Sequence, residues 1–85
     1  MFIGDNLKML RKRAGKSQED IANELGFNRS TYSGYENEVA TPNIENLLIF
    51  SKYYQISIDD LIQKDLSSLT ANEWERFSNE WKTQA

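Results

Sequence analysis

Apolar residues return along this chain every three or four positions, the spacing of a buried helix face. Ile3, Leu7 and Leu10 form the first such stripe, which predicts a helix from about Gly4 to Ala14, ended by Gly15. Ile21, Ala22 and Leu25 form the second. That helix opens at Ser17, a preferred N-cap, with Asp20 where the reciprocal carboxylate of a capping box stands. Gly26 follows Leu25 directly, at the left-handed position that glycine favours. A third helix starts at an Asn28 cap and turns Tyr32 and Tyr35 inward. The stretch 38–42 is a loop, because Pro42 disfavours helical backbone at Thr41. Asn43 caps a fourth helix with Ile44, Leu47, Phe50, Ser51 and Tyr54 towards the core. Ser57 caps a short fifth helix with Leu61 inward. After a joint at residues 64–68, Thr70 and Glu73 form a capping box for a last helix running to about Lys82.

The third helix has two unlike faces. At about 100° per residue, Arg29, Ser33, Asn37, Ser30 and Gly34 share one arc, and Tyr32, Tyr35 and Thr31 occupy the other side. Solvated helix faces ordinarily carry several Glu and Lys; this arc has small polar groups, one arginine and one glycine. Small side chains let a helix backbone approach a grooved partner closely. Two apolar features exceed what a core of five helices needs. Trp74, Phe77 and Trp81 lie within about 60° of one another on the last helix. Ile49 and Tyr53 lie on the fourth helix, nearly opposite its core stripe.

Composition removes most other chemistries. The 85 residues make one small domain and include neither cysteine nor histidine. Disulfides and thiolate metal sites are therefore out, as is the commonest acid–base group. Asp59 and Asp60 resemble a carboxylate pair, but in the first turn of a helix they favour its dipole, which explains them without catalysis or metal. No cofactor, metal or small-molecule ligand is implied, and no nucleophile–base pair marks an enzyme. No apolar run approaches a membrane span and MFIGDN lacks a signal-peptide pattern, so a soluble cytoplasmic protein is the expectation. The net charge of −3 argues against a nonspecific nucleic-acid coat. Residues 1–16 nevertheless carry +4 and residues 39–85 carry −3, which places positive charge near the second and third helices in sequence.

Residues 17–37, SQEDIANELGFNRSTYSGYEN, resemble the helix-turn-helix of the Cro/CI-type (XRE) family. The pattern is filled by Gln18, by Ile21-Ala22 and Leu25-Gly26-Phe27, by inward Tyr32 and Tyr35, and by Glu36-Asn37. It continues in register through Pro42, LLIFSKYY and ISIDDLI, covering roughly residues 3–65. The resemblance implies an all-α, five-helix lambda-repressor-like DNA-binding domain over residues 1–65; residues 66–85 lie beyond its reach and are read from their own pattern as an additional C-terminal helical extension. It further implies Arg29, Ser30, Ser33 and Gly34 at base edges, Gln18, Asn28 and Asn37 at phosphates, and an ion pair between Arg11 and Glu36. Departures are visible. Gly34 stands where a longer polar side chain is frequent. Glu38 replaces a usual glycine, so Asn37 is expected to take the left-handed role. Val39 and Ala40 replace frequent basic residues.

The function implied is sequence-specific transcriptional regulation, as a repressor, by a homodimer on a palindromic double-stranded operator. Burying Trp74, Phe77 and Trp81 with Ile49 and Tyr53 gives either a six-helix monomer or, between chains, a dimer. The dimer is preferred because duplex recognition rewards two-fold symmetry and aromatics favour interface centres. The alternative is an antitoxin-like interaction module whose aromatic C-terminal helix binds a partner protein.

Overall fold

A computed structural model describes the backbone of residues 1–84 and the side chains of residues 1–79. Within it the order is α1 (Ile3–Arg13), α2 (Gln18–Leu25), α3 (Arg29–Glu36), α4 (Ile44–Tyr54), α5 (Ile58–Gln63), a 3-10 turn (Leu66–Ser68) and α6 (Ala71–Gln84), with no strand among the described residues. Local signals set most of these boundaries. Ser17 Oγ accepts the Asp20 amide and Asp20 Oδ2 accepts the Ser17 amide, both at 3.0 Å, closing the capping box of α2. Gly26 ends that helix in the left-handed region at φ 77°. Asn43 and Ser57 cap α4 and α5 through their side chains, and Thr70 and Glu73 cap each other's amides at α6.

Three local expectations are corrected. Asn28 has the extended backbone of a cap, but its side chain accepts no amide. It stays in solvent, and the first amides of α3 are left open on that side. Asn37 does not take the left-handed role. Its amide bonds the Ser33 carbonyl at 3.0 Å and keeps it at φ −87°, so the reversal falls on Glu38 at φ 61°. The amides of Glu38 and Val39 then return to the carbonyls of Tyr35 and Gly34, the paired bonds of a Schellman ending built on glutamate. Ile44 does not face the core either, being 67% exposed. It sits in the first turn of α4, and the buried Pro42 already closes that end.

Every helix from α1 to α5 contributes to one core. Phe50 of α4 lies at its centre, with ring centroids 5.3 Å from Phe27, 5.9 Å from Tyr32 and 6.1 Å from Tyr35. Edge-to-face and tilted rings at these separations attract beyond the area they bury. Leu66 also belongs to this core, although it stands in the stretch read from sequence as a joint. Asn6 holds it there. The Asn6 amide donates to the carbonyls of Leu61 at 2.8 Å and Lys64 at 2.7 Å, while its Oδ1 accepts the Leu66 amide at 3.0 Å. A fully buried amide is tolerated because it ties the end of α5 and the 3-10 turn to α1.

Gly4 marks the closest approach of α1 and α3. A Cβ there would lie 2.7 Å from Glu38 Cγ, 2.8 Å from the Glu36 carbonyl oxygen and 2.9 Å from that of Tyr35. The carbonyl end of α3 thus abuts the amide end of α1, a favourable juxtaposition of opposite dipole ends. Gly4→Ala should lower the unfolding free energy by about 1–3 kcal/mol, the usual cost of overpacking, despite alanine's better helix propensity. Urea denaturation checks this; an unchanged or higher midpoint would show that the two helices separate freely.

Candidate nucleic-acid interface

The outer arc of α3 is open along its length. Arg29, Ser30 and Asn37 are exposed and Ser33 and Gly34 are half-buried, while Tyr32 and Tyr35 are buried beneath them. Asn37 Nδ2 reaches Ser33 Oγ at 3.3 Å, so these two side chains stand together on that arc. Asn28 and Arg29 flank the amide end of α3, and Gln18 opens α2 beside the shared Glu36 carboxylate. Gln18, Asn28, Arg29 and Ser30 therefore lie on or next to the α2 and α3 amide ends, while Ser33, Gly34 and Asn37 follow along the outer arc to the opposite end of α3.

What fixes α3 is the Glu36 carboxylate, buried beneath its last turn. Arg11 Nε donates to Glu36 Oε2 at 2.7 Å and Arg11 Nη2 to Oε1 at 3.1 Å, a bidentate fork. Gln18 Nε2 adds a bond to Oε1 at 3.0 Å, and Arg11 Nη1 also donates to the Lys16 carbonyl at 2.9 Å. One carboxylate so joins α1, α2 and α3. The Tyr32 hydroxyl faces this cluster, and the Tyr32 and Tyr54 hydroxyls are both buried without a protein partner. Burial raises both phenols, so they stay protonated at any ordinary pH. Burial alone would also raise the Glu36 carboxyl, but the bonds from Arg11 and Gln18 hold it below the ordinary carboxylate value.

Electrostatically, the interface is less positive than the sequence order suggested. Of the cations in residues 1–16, Arg11 is taken by Glu36 and Lys16 pairs with Glu24, which also accepts the Tyr53 hydroxyl. The Arg13 guanidinium lies 4.5 Å from the Trp74 ring centroid of α6 and its Nε contacts Met9 Sδ at 3.1 Å. On the helix wheel, Gly4 and Arg11 define the side of α1 against α3, and Lys12 is turned about 90° from it. Lys8, Lys12 and Arg13 instead line an open concavity with Asp5, Met9 and Ser67. Glu19 and Asp20 lie in the first turn of α2 and Glu38 just past the end of α3, with Arg29 the cation of α3.

The surplus apolar residues are placed apart. Trp74 and Phe77 pack on the core of their own chain, Trp74 beneath Arg13 and Phe77 5.3 Å from the Lys64 ammonium. Tyr53 stacks edge-on with Tyr54 at 4.9 Å and bonds Glu24 of α2, while Ile49 is half-buried. The side chain of Trp81 lies outside the described residues. The sequence did not single out Gly4 and Asn6, which set the placement of α1; Gly4 had no pattern to betray it, whereas Asn6 borders the apolar stripe of α1.

A helix-turn-helix family model matches residues 7–61. The chain belongs to the Cro/CI-type (XRE) helix-turn-helix family. Among curated relatives, it is 35% identical to the HTH-type transcriptional regulator ImmR of Bacillus subtilis, over 76% of this chain and 51% of that protein. It is 36% identical to the cryptic phage CTXphi transcriptional repressor RstR of Vibrio cholerae, over 72% and 54%. It is 32% identical to the antitoxin PezA of Streptococcus pneumoniae, over 75% and 40%. No solved structure matches significantly. The chain spans about half the length of most of the curated relatives it matches. Among the described residues, no helix is long and apolar enough to cross a membrane, and no acidic cluster is arranged to hold a metal.

Glu36→Gln in this family member should lower the unfolding free energy by about 2 kcal/mol, since hydrogen bonds to charged groups contribute roughly 1.5–3 kcal/mol each. The pH dependence has a definite sign. A depressed carboxylate contributes its full stability above its unfolded value near 4.5 and loses it as pH falls through the folded value. Thermal melts from pH 6 to pH 2 should therefore show a shallower acid decline for Glu36→Gln than for the parent. Parallel declines would assign the acid sensitivity to other carboxylates.

Proposed function

We propose that this protein is a sequence-specific double-stranded DNA-binding regulator of transcription, a repressor, acting as a homodimer on a palindromic operator. The observation that carries the reading is the contrast across α3. An aromatic inner face locked on Phe50 and Glu36 presents an outer face of small polar residues and one arginine to a groove. The amide end of α3 enters the major groove, with α2 against the backbone. Arg29 pairs with guanine O6 and N7, and Ser30 and Ser33 donate or accept at neighbouring edges. Gln18, Asn28 and Asn37 hold phosphates, with the open amides at the start of α3 helping to bind the anions. Gly34 adds no side chain of its own. The naming of relatives such as ImmR and RstR as regulator and repressor supports this reading, and none of the relatives described is named as an enzyme.

Selection from a random duplex pool should return an enriched motif at modest salt. Arg29→Ala should then cost about 1–3 kcal/mol and relax preference at one base pair. Gln18→Ala should instead weaken all sequences alike. A pool with no enriched motif would reject sequence-specific binding.

The homodimer is assigned to residues 69–85, where Trp74 and Phe77 keep part of their surface outside their own chain's core. Two half-sites lie one helical turn apart, about 34 Å, so the contact must lie away from α3. Among the described residues, a chain ending at Ser68 retains all of the fully buried core, the last being Leu66. Light scattering at tens of micromolar should find the intact chain dimeric and the shortened one folded and monomeric. An intact monomer, or a shortened dimer, rejects the assignment. The likeness to the antitoxin PezA favours a second use of the same surface, binding of a different protein by α6. That reading predicts an intact chain that stays monomeric until its partner is added.

A further inference from the structure

Val39 is 83% exposed and stands directly beside the α3 arc, an unfavourable place for a β-branched apolar side chain in a free domain. Its backbone is firmly held. The left-handed Glu38 turns the chain back over α3, and the amides of Val39 and Ala40 both donate to the Gly34 carbonyl, at 2.9 and 3.2 Å. The consequence lies at Gly34. A Cβ built there would be 4.0 Å from both Val39 Cβ and Ala40 Cβ. The methyl groups of the loop therefore flank the place that a side chain at position 34 would occupy. On the helix wheel, that place is within about 60° of Ser30 and Asn37, so it is continuous with the proposed reading face.

We propose that Val39, backed by Ala40 over the side-chain-free Gly34, recognises the 5-methyl group of a thymine at the edge of each half-site. The proposal rests on the DNA-binding reading above and adds a base-specific contact to it. Thymine is the base that offers a methyl group in the major groove, and apolar side chains are its natural partners there. A valine has one strongly restricted side-chain torsion, so little rotamer freedom is lost when the contact forms. Two amide bonds to one carbonyl already order the backbone, which lowers the cost of binding further. Lysine or arginine at position 39 would hold phosphate regardless of sequence; valine exchanges that for a choice between bases. Glu38 directly before Val39, and Arg29 as the one cation within α3, point the same way, towards discrimination through contacts rather than general attraction.

Deoxyuridine provides the test, because it removes only the methyl group and leaves pairing unchanged. The intact chain is bound to its selected duplex with each thymine replaced in turn by deoxyuridine. At one thymine per half-site the replacement should weaken parent binding about three- to five-fold, the worth of one buried methyl group. The Val39→Ser variant should melt like the parent, bind the thymine duplex more weakly, and lose this discrimination to less than about two-fold at the same position. A parent indifferent to deoxyuridine everywhere overturns the proposal, as does a sensitivity that Val39→Ser leaves intact. A Val39→Ser chain that changes from dimer to monomer without DNA overturns it too, by seating Val39 on a second copy. If the parent selects no motif at all, sequence-specific binding itself fails and this contact falls with it, a result distinct from normal binding without methyl discrimination.

Discussion

The placement of every element around α3 depends on one buried carboxylate. Glu36 ends α3 on its inner side, where an uncompensated negative charge would not stay. Arg11 brings a bidentate fork from α1 and Gln18 an amide from α2, so satisfying one group fixes three helices relative to one another. The same Arg11 reaches the Lys16 carbonyl and so also sets the turn between α1 and α2. Gly4 completes the arrangement by letting the first turn of α1 come against the last carbonyls of α3. A helix held by charge at one end and by the Phe50 ring cluster along its length can present its outer face without moving. Rigid presentation is what a reading surface requires.

The charge pattern follows from that arrangement. Three of the five cations in residues 1–16 are committed to Glu36, Glu24 and the Trp74 ring, so less positive charge is free than the chain order suggests. Less of the chain's positive charge is then left for general attraction to phosphate. On the proposed reading, preference among sequences comes from geometry, to which the restrained loop over Gly34 adds.

The C-terminal helix belongs to the same logic at the opposite side. Trp74 and Phe77 close over the α1 and α5 ends of the core, each with a cation over its ring. Both remain half-exposed, which makes α6 part lid and part surface. Asn6 supports this region by locking Leu66, so the junction before α6 is a buried, hydrogen-bonded element and not a free joint.

The helices, most of their caps and the two faces of α3 were legible from the chain alone, because they depend on residues within a turn of one another. Ser17 with Asp20, Gly26 and Thr70 with Glu73 are signals of that kind. The pairing of Arg11 with Glu36 was legible only through resemblance, since nothing local links positions 25 residues apart. Tertiary structure alone decided the rest. Ile44 has the periodicity of a core residue but lies beyond the point where neighbouring helices cover α4. The left-handed reversal fell on Glu38 because α3 kept one more helical bond, through Asn37, before ending. Gly4 and Asn6 look ordinary in sequence because their roles are set by partners from α3, α5 and the 3-10 turn. The same holds for the cations of α1: sequence counts charges, and only packing determines which of them remain free.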